Sequence, residues 1–194
     1  YKLSSDKCIT ITYGFDLNSP PTPNEKKDAK RIICERHQIP ENHRILFFNG
    51  TLDYAPNLQA LMHILNDINP ILLESNFSYS IIICGKNLPA HLHQLKNYRD
   101  QYIVYAGFVD DISEYFKGAD VFINPVTDGG GIKTKLVEAL GYDLSCVSTI
   151  SGAIGVPYDI TAGKLSIVDD NQWNGFASYI IEQSKNTQTI PDIF

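Results

Sequence analysis

The sequence predicts an α/β domain built on a doubly wound parallel sheet, and three features point to it. Short apolar runs of strand length recur about six times, and segments with apolar residues at helical spacing separate them. The runs are apolar at consecutive positions rather than alternate ones, as expected of strands covered by helices on both faces.

In chain order, Ile9-Thr10-Ile11-Thr12-Tyr13 alternates like a short strand, and Gly14 with Asn18 to Pro23 breaks regular structure and reads as a linker. From Asn24 a polar helix with a late apolar face runs through Ile32 and Ile33 and ends before Pro40. Residues 1–40 are thus read as strand, linker and helix, residues 41–186 as the main domain, and residues 187–194 as a tail. Ile45-Leu46-Phe47-Phe48 is the first strand of the main domain. Pro56 then suits a first helical position, with Leu58, Leu61, Met62 and Leu65 on one face. The second and third strands are Tyr79 to Cys84 and Tyr102 to Tyr105. Asp111 and Glu114 form a capping-box pattern ahead of Ile112, Tyr115 and Phe116. Val121-Phe122-Ile123 is the fourth strand, and Leu136, Val137 and Leu140 mark the next helix. Ser145 to Ser148 and Leu165 to Val168 complete the strands, and Trp173, Phe176, Ala177 and Ile180 mark the last helix.

Composition bounds the function. The chain has 194 residues, 43% hydrophobic, with 16 Lys+Arg against 22 Asp+Glu for a net charge of -6. That is one ordinary domain, with no apolar stretch long enough to cross a bilayer and no basic footprint for nucleic acid. Cys8, Cys34, Cys84 and Cys146 are scattered, with no Cys-x-x-Cys pair. Cys84 and Cys146 read as small strand hydrophobes in a reducing, cytoplasmic setting. The chain starts at Tyr1 without a charged-then-apolar leader, and the expectation is a piece of a longer protein.

In a doubly wound sheet, ligands bind past the carboxyl ends of the strands where the winding reverses. With the common order of such sheets, 3-2-1-4-5-6, the crevice falls between the first and fourth strands, so the loops of interest are Asn49 to Asn57 and Asn124 to Thr134. The second loop holds Gly129-Gly130-Gly131 and then Ile132-Lys133-Thr134-Lys135 at a helix start. Glycines let a ligand approach backbone amides, and first-turn amides carry partial positive charge, so the loop is a candidate anion site. Lys133 and Lys135 add full charges. Glu138, one turn on, could accept from two sugar hydroxyls; donors for phosphates followed by an acceptor for vicinal hydroxyls complement a nucleoside diphosphate. The same residues are compatible with a plain flexible turn and an exposed Lys135–Glu138 ion pair worth about 0.2–0.5 kcal/mol. In the first loop the amides of Gly50 and Thr51 could face the ligand, while Asp53 reads as a turn cap. Val109, after the third strand, could lie against an aromatic base. His63, mid-helix, and His91 and His93, in a polar helix, read as solvated surface residues, and no metal-ligand spacing appears.

Together these residues resemble the carboxyl-terminal, donor-binding half of GT-B fold glycosyltransferases, specifically retaining family four. The resemblance runs from about Ile9 to Ser184. It rests on Ile11 to Asp16, Phe47 to Asn57 with its Pro56-Asn57 pair, Tyr105 to Asp111, Ala119 to Pro125, Gly129 to Ala139, and Ser148 to Gly155. Glu138 occupies the second position of that family's glutamate pair and Gly130 the first. The resemblance implies that Gly50, Thr51, Val109, Gly129, Gly130, Gly131, Ile132 and Glu138 bind a nucleotide-diphosphate sugar. It implies that Lys133 and Lys135 hold the diphosphate and offset charge on the leaving group. It further implies a metal-independent reaction without cofactor, an amino-terminal acceptor domain, and an unknown carbohydrate or lipid-linked acceptor. The fragment alone would be inactive, and peripheral membrane docking of the full-length protein stays open. A non-catalytic GT-B-like binding or assembly module and a nucleotide-sugar epimerase are the alternatives.

Overall fold

The computed structural model describes residues 20–131 and 133–187. The expected strand at 9–13, most of the linker, Ile132 and the end of the tail lie outside the described residues.

Helix α1 (Pro23–His37) opens on a full capping box. The Thr22 hydroxyl accepts from the Glu25 amide, and the Glu25 carboxylate accepts from the Thr22 amide at 2.8 Å. Its buried face, Ala29, Ile33 and Cys34, joins the core. Lys26 reaches Asp143 at 2.7 Å and Lys30 reaches Asp120 at 2.6 Å, which ties the helix to two loops.

The strands β1 (Arg44–Asn49), β2 (Tyr79–Cys84), β3 (Ile103–Gly107), β4 (Val121–Asn124), β5 (Ser145–Thr149) and β6 (Leu165–Val168) form one sheet. Its order is β3-β2-β1-β4-β5-β6, every pairing is parallel, and the winding therefore reverses between β1 and β4. This is the predicted order. In β1, Phe47 faces one apolar layer and Leu46 and Phe48 the other, and both layers are buried. The first layer lies under α1, α4 (Ser113–Gly118) and α5 (Thr134–Gly141). The second lies under α2 (Ala55–His63), α3 (Asn69–Leu73) and α6 (Trp173–Gln183). Burial on both faces is why these strands read as unbroken apolar runs.

Several elements differ from expectation. Between α2 and α3 the chain widens into a π turn, Ile64–Ile68, closed by the Asn69 amide on the Ile64 carbonyl. Pro70 has no amide hydrogen and its ring crowds the carbonyl one turn back, so a wider turn lets the helical run continue. The segment Ala90–Gln101 is a 3-10 run broken by left-handed residues at His93, Gln94 and Leu95, not a continuous polar helix. Strand β3 starts at Ile103, because Tyr102 adopts φ 63° and caps the preceding run. The Asp111–Glu114 capping box does not form. Asp111 accepts from the Ser113 amide at 2.9 Å in a local turn, and Glu114 instead pairs with Arg36 of α1. A charged partner from another helix outcompetes the local bond.

Helices α1 and α4 approach so closely at Gly118 that a Cβ there would lie 2.6 Å from Ile33 Cδ1 and 2.8 Å from backbone atoms of Ala29 and Lys30. Among the described residues no helix is long and apolar enough to cross a membrane.

Candidate functional site

Strands β1 and β4 end at Asn49 and Asn124, and the loops beyond them separate around a crevice of about 500 Å³. Thr51, Tyr54, Pro56 and Asn57 form its wall on the β1 side, and Asn124, Val126 and Gly130 form the other wall. Lys133, Thr134 and Lys135, at the start of α5, close it. A hollow of similar size, about 580 Å³, borders Gly163 and the end of α6. It lies at the amino-terminal edge of β6, away from the loops that follow the strands, so the switch-point crevice is the better binding site.

Lys135 is the centre of this site. Its Nζ donates to the Asn49 carbonyl at 2.8 Å and to Asn57 Oδ1 at 3.0 Å, and sits 5.9 Å from the centre of the Phe48 ring. Burial pushes its pKa down from 10.5 to about 8; Lys133 pushes the same way and Glu138 opposes both. Gly50 makes room for this arrangement, since a Cβ there would lie 2.7 Å from Lys135 Nζ and 2.8 Å from Asn57 Nδ2. Asn57 is itself held by a 3.0 Å bond from Nδ2 to the Thr51 carbonyl. The N-cap of α2, Tyr54, makes no side-chain cap.

Lys133 precedes the first turn of α5 and donates to the Gly129 carbonyl at 2.6 Å, closing the glycine loop on itself. Gly129 and Gly131 have φ of 98° and 77°, a backbone that L side chains rarely adopt, which is the need those two glycines meet. A Cβ at Gly130 or Gly131 would meet nothing within 4 Å, so the loop is open above the crevice. No side chain caps α5, whose first residues Thr134 and Lys135 line the crevice beside Lys133. Glu138 is half-buried one turn further on, where burial raises its pKa and Lys135 opposes the rise.

The opposite wall is fixed by a buried polar network. Asn124 donates through Nδ2 to Ser148 Oγ at 3.0 Å and to the Gly152 carbonyl at 2.9 Å. Thr149 donates to the Val126 carbonyl and accepts from the Gly152 amide. These bonds hold the loop after β5 against the loop after β4, so the wall is rigid before any ligand arrives.

Several sequence expectations need correction. The Gly50 amide is spent on the Cys84 carbonyl at 3.0 Å and extends the sheet, so Gly50 contributes space rather than a donor. Asp53 caps no turn: its carboxylate accepts from Asn87 Nδ2 at 3.1 Å. Val109 packs against the core near α4 and is not part of the crevice lining. Lys135 is not in an exposed ion pair with Glu138, because its hydrogen bonds go to Asn49 and Asn57. His63 is not a solvated residue. Its side chain is 17% exposed, bonds Asp67 at 2.7 Å and stacks 4.4 Å from Trp173 of α6. Thr51, Gly130, Lys133 and Lys135 do line the crevice, Gly129 and Gly131 shape its loop, and Glu138 lies one helical turn beyond the lining residues.

Asn57 and Asn124 were missed as site residues. A polar amide just inside the apolar α2 pattern, directly after Pro56, was the available signal for Asn57. Asn124 was hidden by its place at a strand end, where an asparagine reads as an ordinary turn residue. Cys34, Cys84 and Cys146 are buried free thiols, and burial raises Cys84 to about 12, which leaves it inert.

The reversal of winding, the crevice at that point and the glycine loop leading into a helix put the chain in the Rossmann-like class. It has the form taken by the C-terminal domain of GT-B glycosyltransferases. The chain belongs to the family Glycosyl transferases group 1, whose sequence profile matches residues 43–186. It is 27% identical over 198 residues to an uncharacterized 44.6 kDa protein in the cps region of Klebsiella pneumoniae, aligning 98% of this chain with 48% of that one. The chain thus spans about half the length of that curated relative. The crystal structure of Anabaena Alr3699/HepE in complex with UDP is similar with a TM-score of 0.65 at 16% identity, over 89% of this chain and 47% of the other. The C-terminal domain of the glycosyl transferase group 1 family protein LpcC from Francisella tularensis is similar with a TM-score of 0.60 at 16% identity. That match covers 84% of this chain and 82% of the LpcC domain.

Proposed function

We propose that this domain binds the nucleotide-diphosphate sugar donor of a retaining glycosyltransferase, with the diphosphate in the crevice between β1 and β4. One observation carries the reading: the partly buried Lys135 ammonium, held by two carbonyl oxygens, borders an open crevice at the start of an uncapped helix. Desolvating a cation is costly, so a protein keeps one there when an anion offsets the cost in use. HepE, similar in fold, has been crystallised with UDP, which supports the same ligand class here.

In the reaction the bond between the sugar's anomeric carbon and the diphosphate oxygen breaks, an acceptor hydroxyl oxygen takes its place on that carbon, and the hydroxyl proton passes to the departing diphosphate. The electron pair leaves with the diphosphate. Lys133, Lys135 and the first amides of α5 stabilise that growing charge, and fixed dipoles do so without reorganising at the moment of reaction. Glu138 accepts from the ribose hydroxyls. The acceptor is an unknown carbohydrate or lipid-linked sugar, held by an amino-terminal domain of a longer, cytoplasmic protein, and this domain alone binds donor without transferring it. No metal is required, because the two ammonium groups supply the positive charge.

The test is an NMR titration with uridine and guanosine diphosphates. Binding perturbs the amides from Gly129 to Glu138, and a spectrum that neither nucleotide changes there would sink the assignment.

A further inference from the structure

Lys135 is anchored by residues far from it in sequence, and that anchoring needs a reason. An ammonium has three hydrogens to donate. Two are committed, one to the Asn49 carbonyl and one to Asn57 Oδ1, both on the β1 side of the crevice. The tetrahedral nitrogen then has its remaining hydrogen fixed in direction, and Lys135 borders the crevice. The Asn49 carbonyl belongs to the strand end and cannot move. Asn57 is the adjustable member, and its other end is tied to the Thr51 carbonyl at 3.0 Å. Asn57 is also buried, so its orientation is set by these two bonds rather than by solvent.

We propose that Asn57 is a positioning residue that fixes the Lys135 ammonium at the crevice and directs its free N–H toward the diphosphate. The amide is suited to this where a carboxylate is not. It offers a neutral oxygen to the ammonium and a hydrogen to the Thr51 carbonyl, and it adds no negative charge beside an anion. Its importance for the reaction rests on the donor-binding reading above; its hold on Lys135 does not. The full-charge neighbours acting on Lys135 are Glu138 and Lys133, both from its own segment, while β1 presents the Asn49 carbonyl and the Phe48 ring and α2 presents Asn57. Lys135 titrates near pH 8, so its environment can be followed at accessible pH.

The test follows the Lys135 side-chain titration by NMR in the domain, alongside UDP affinity. Asn57→Leu keeps the shape and removes the acceptor, and the midpoint should fall, because a hydrogen bond to the charged form is lost. Asn57→Asp keeps the acceptor and adds a charge, and the midpoint should rise by roughly one unit or more. UDP affinity should fall in both: in the first for want of a directed donor, in the second from repulsion. Gly50→Ala drives a methyl to within 2.7 Å of Nζ and displaces the ammonium, whose midpoint should move back toward the ordinary 10.5. Opposite shifts in the two Asn57 variants support the assignment, as does the return in Gly50→Ala. Unchanged midpoints in whichever of these variants fold overturn it. If the midpoints move but the unaltered domain binds no UDP, the donor reading fails and the positioning of Lys135 by Asn57 stands.

Discussion

Replacing Lys135 with methionine should alter stability in a way that depends on pH, and the structure sets the size of the effect. The folded protein holds the Lys135 proton with a pKa of about 8, against 10.5 for the exposed side chain. The folded pKa is the lower one, so keeping the ammonium in the fold costs free energy. That cost is fully present below about pH 8 and fades as pH rises through about 8 toward 10.5. One pKa unit corresponds to about 1.4 kcal/mol, which puts the cost at about 3 kcal/mol near pH 7 and about 2 kcal/mol near pH 9. The methionine variant has no such cost, although the Asn49 carbonyl and Asn57 Oδ1 lose their donor, worth about 1–3 kcal/mol in the other direction. That second contribution is independent of pH and cancels when the two proteins are compared at two pH values. Urea unfolding near pH 7 and near pH 9 should therefore show the unaltered protein gaining about 1 kcal/mol on the Lys135→Met variant. A stability difference that stays constant across this range would mean that Lys135 titrates as an exposed lysine, and the account of a desolvated cation would be wrong.

Nucleotide binding should follow the same proton. Affinity for UDP should drop about tenfold from near pH 7 to near pH 9 as Lys135 loses its charge, while Lys135→Arg, always charged, shows no such drop by calorimetry. That variant also controls for ionisation of the nucleotide itself. Gly118→Ala should destabilise the fold by about 1–3 kcal/mol in chemical denaturation, since a methyl there meets backbone of α1 that cannot yield. Asp143→Asn keeps the left-handed turn but leaves the buried Lys164 without its carboxylate, 3.3 Å away. A loss of about 3 kcal/mol is expected, measured by urea unfolding near pH 7.

The sheet was legible in the sequence because burial on both faces writes itself directly into consecutive apolar residues. Ile81-Ile82-Ile83 and Val121-Phe122-Ile123 read as interior strands, with helices between them a parallel sheet followed, and the common strand order of such a sheet placed the crevice. The two lysines and the glycine loop were legible for a similar reason, since charge and backbone freedom are properties of single residues. Local rules failed where a distant partner took over. Glu114 fits a capping box, yet Arg36 of α1 captures it. His63 fits a solvated helical position, yet Trp173 of α6 stacks over it.

What the sequence by itself determined is the alternation of strand and helix, hence the parallel architecture, and the glycine loop with its two lysines; the strand order that puts them at the switch point is seen in the fold. Tertiary structure alone decided that Lys135 is partly buried and bound to the Asn49 carbonyl, 86 positions away, and to Asn57, 78 positions away. It alone decided that Gly50 is there for the space its missing side chain leaves. Periodicity is set by which way each residue faces, and neighbouring residues report that to one another along the chain. A hydrogen bond between loops depends on where two strand ends meet in space, which no local pattern encodes.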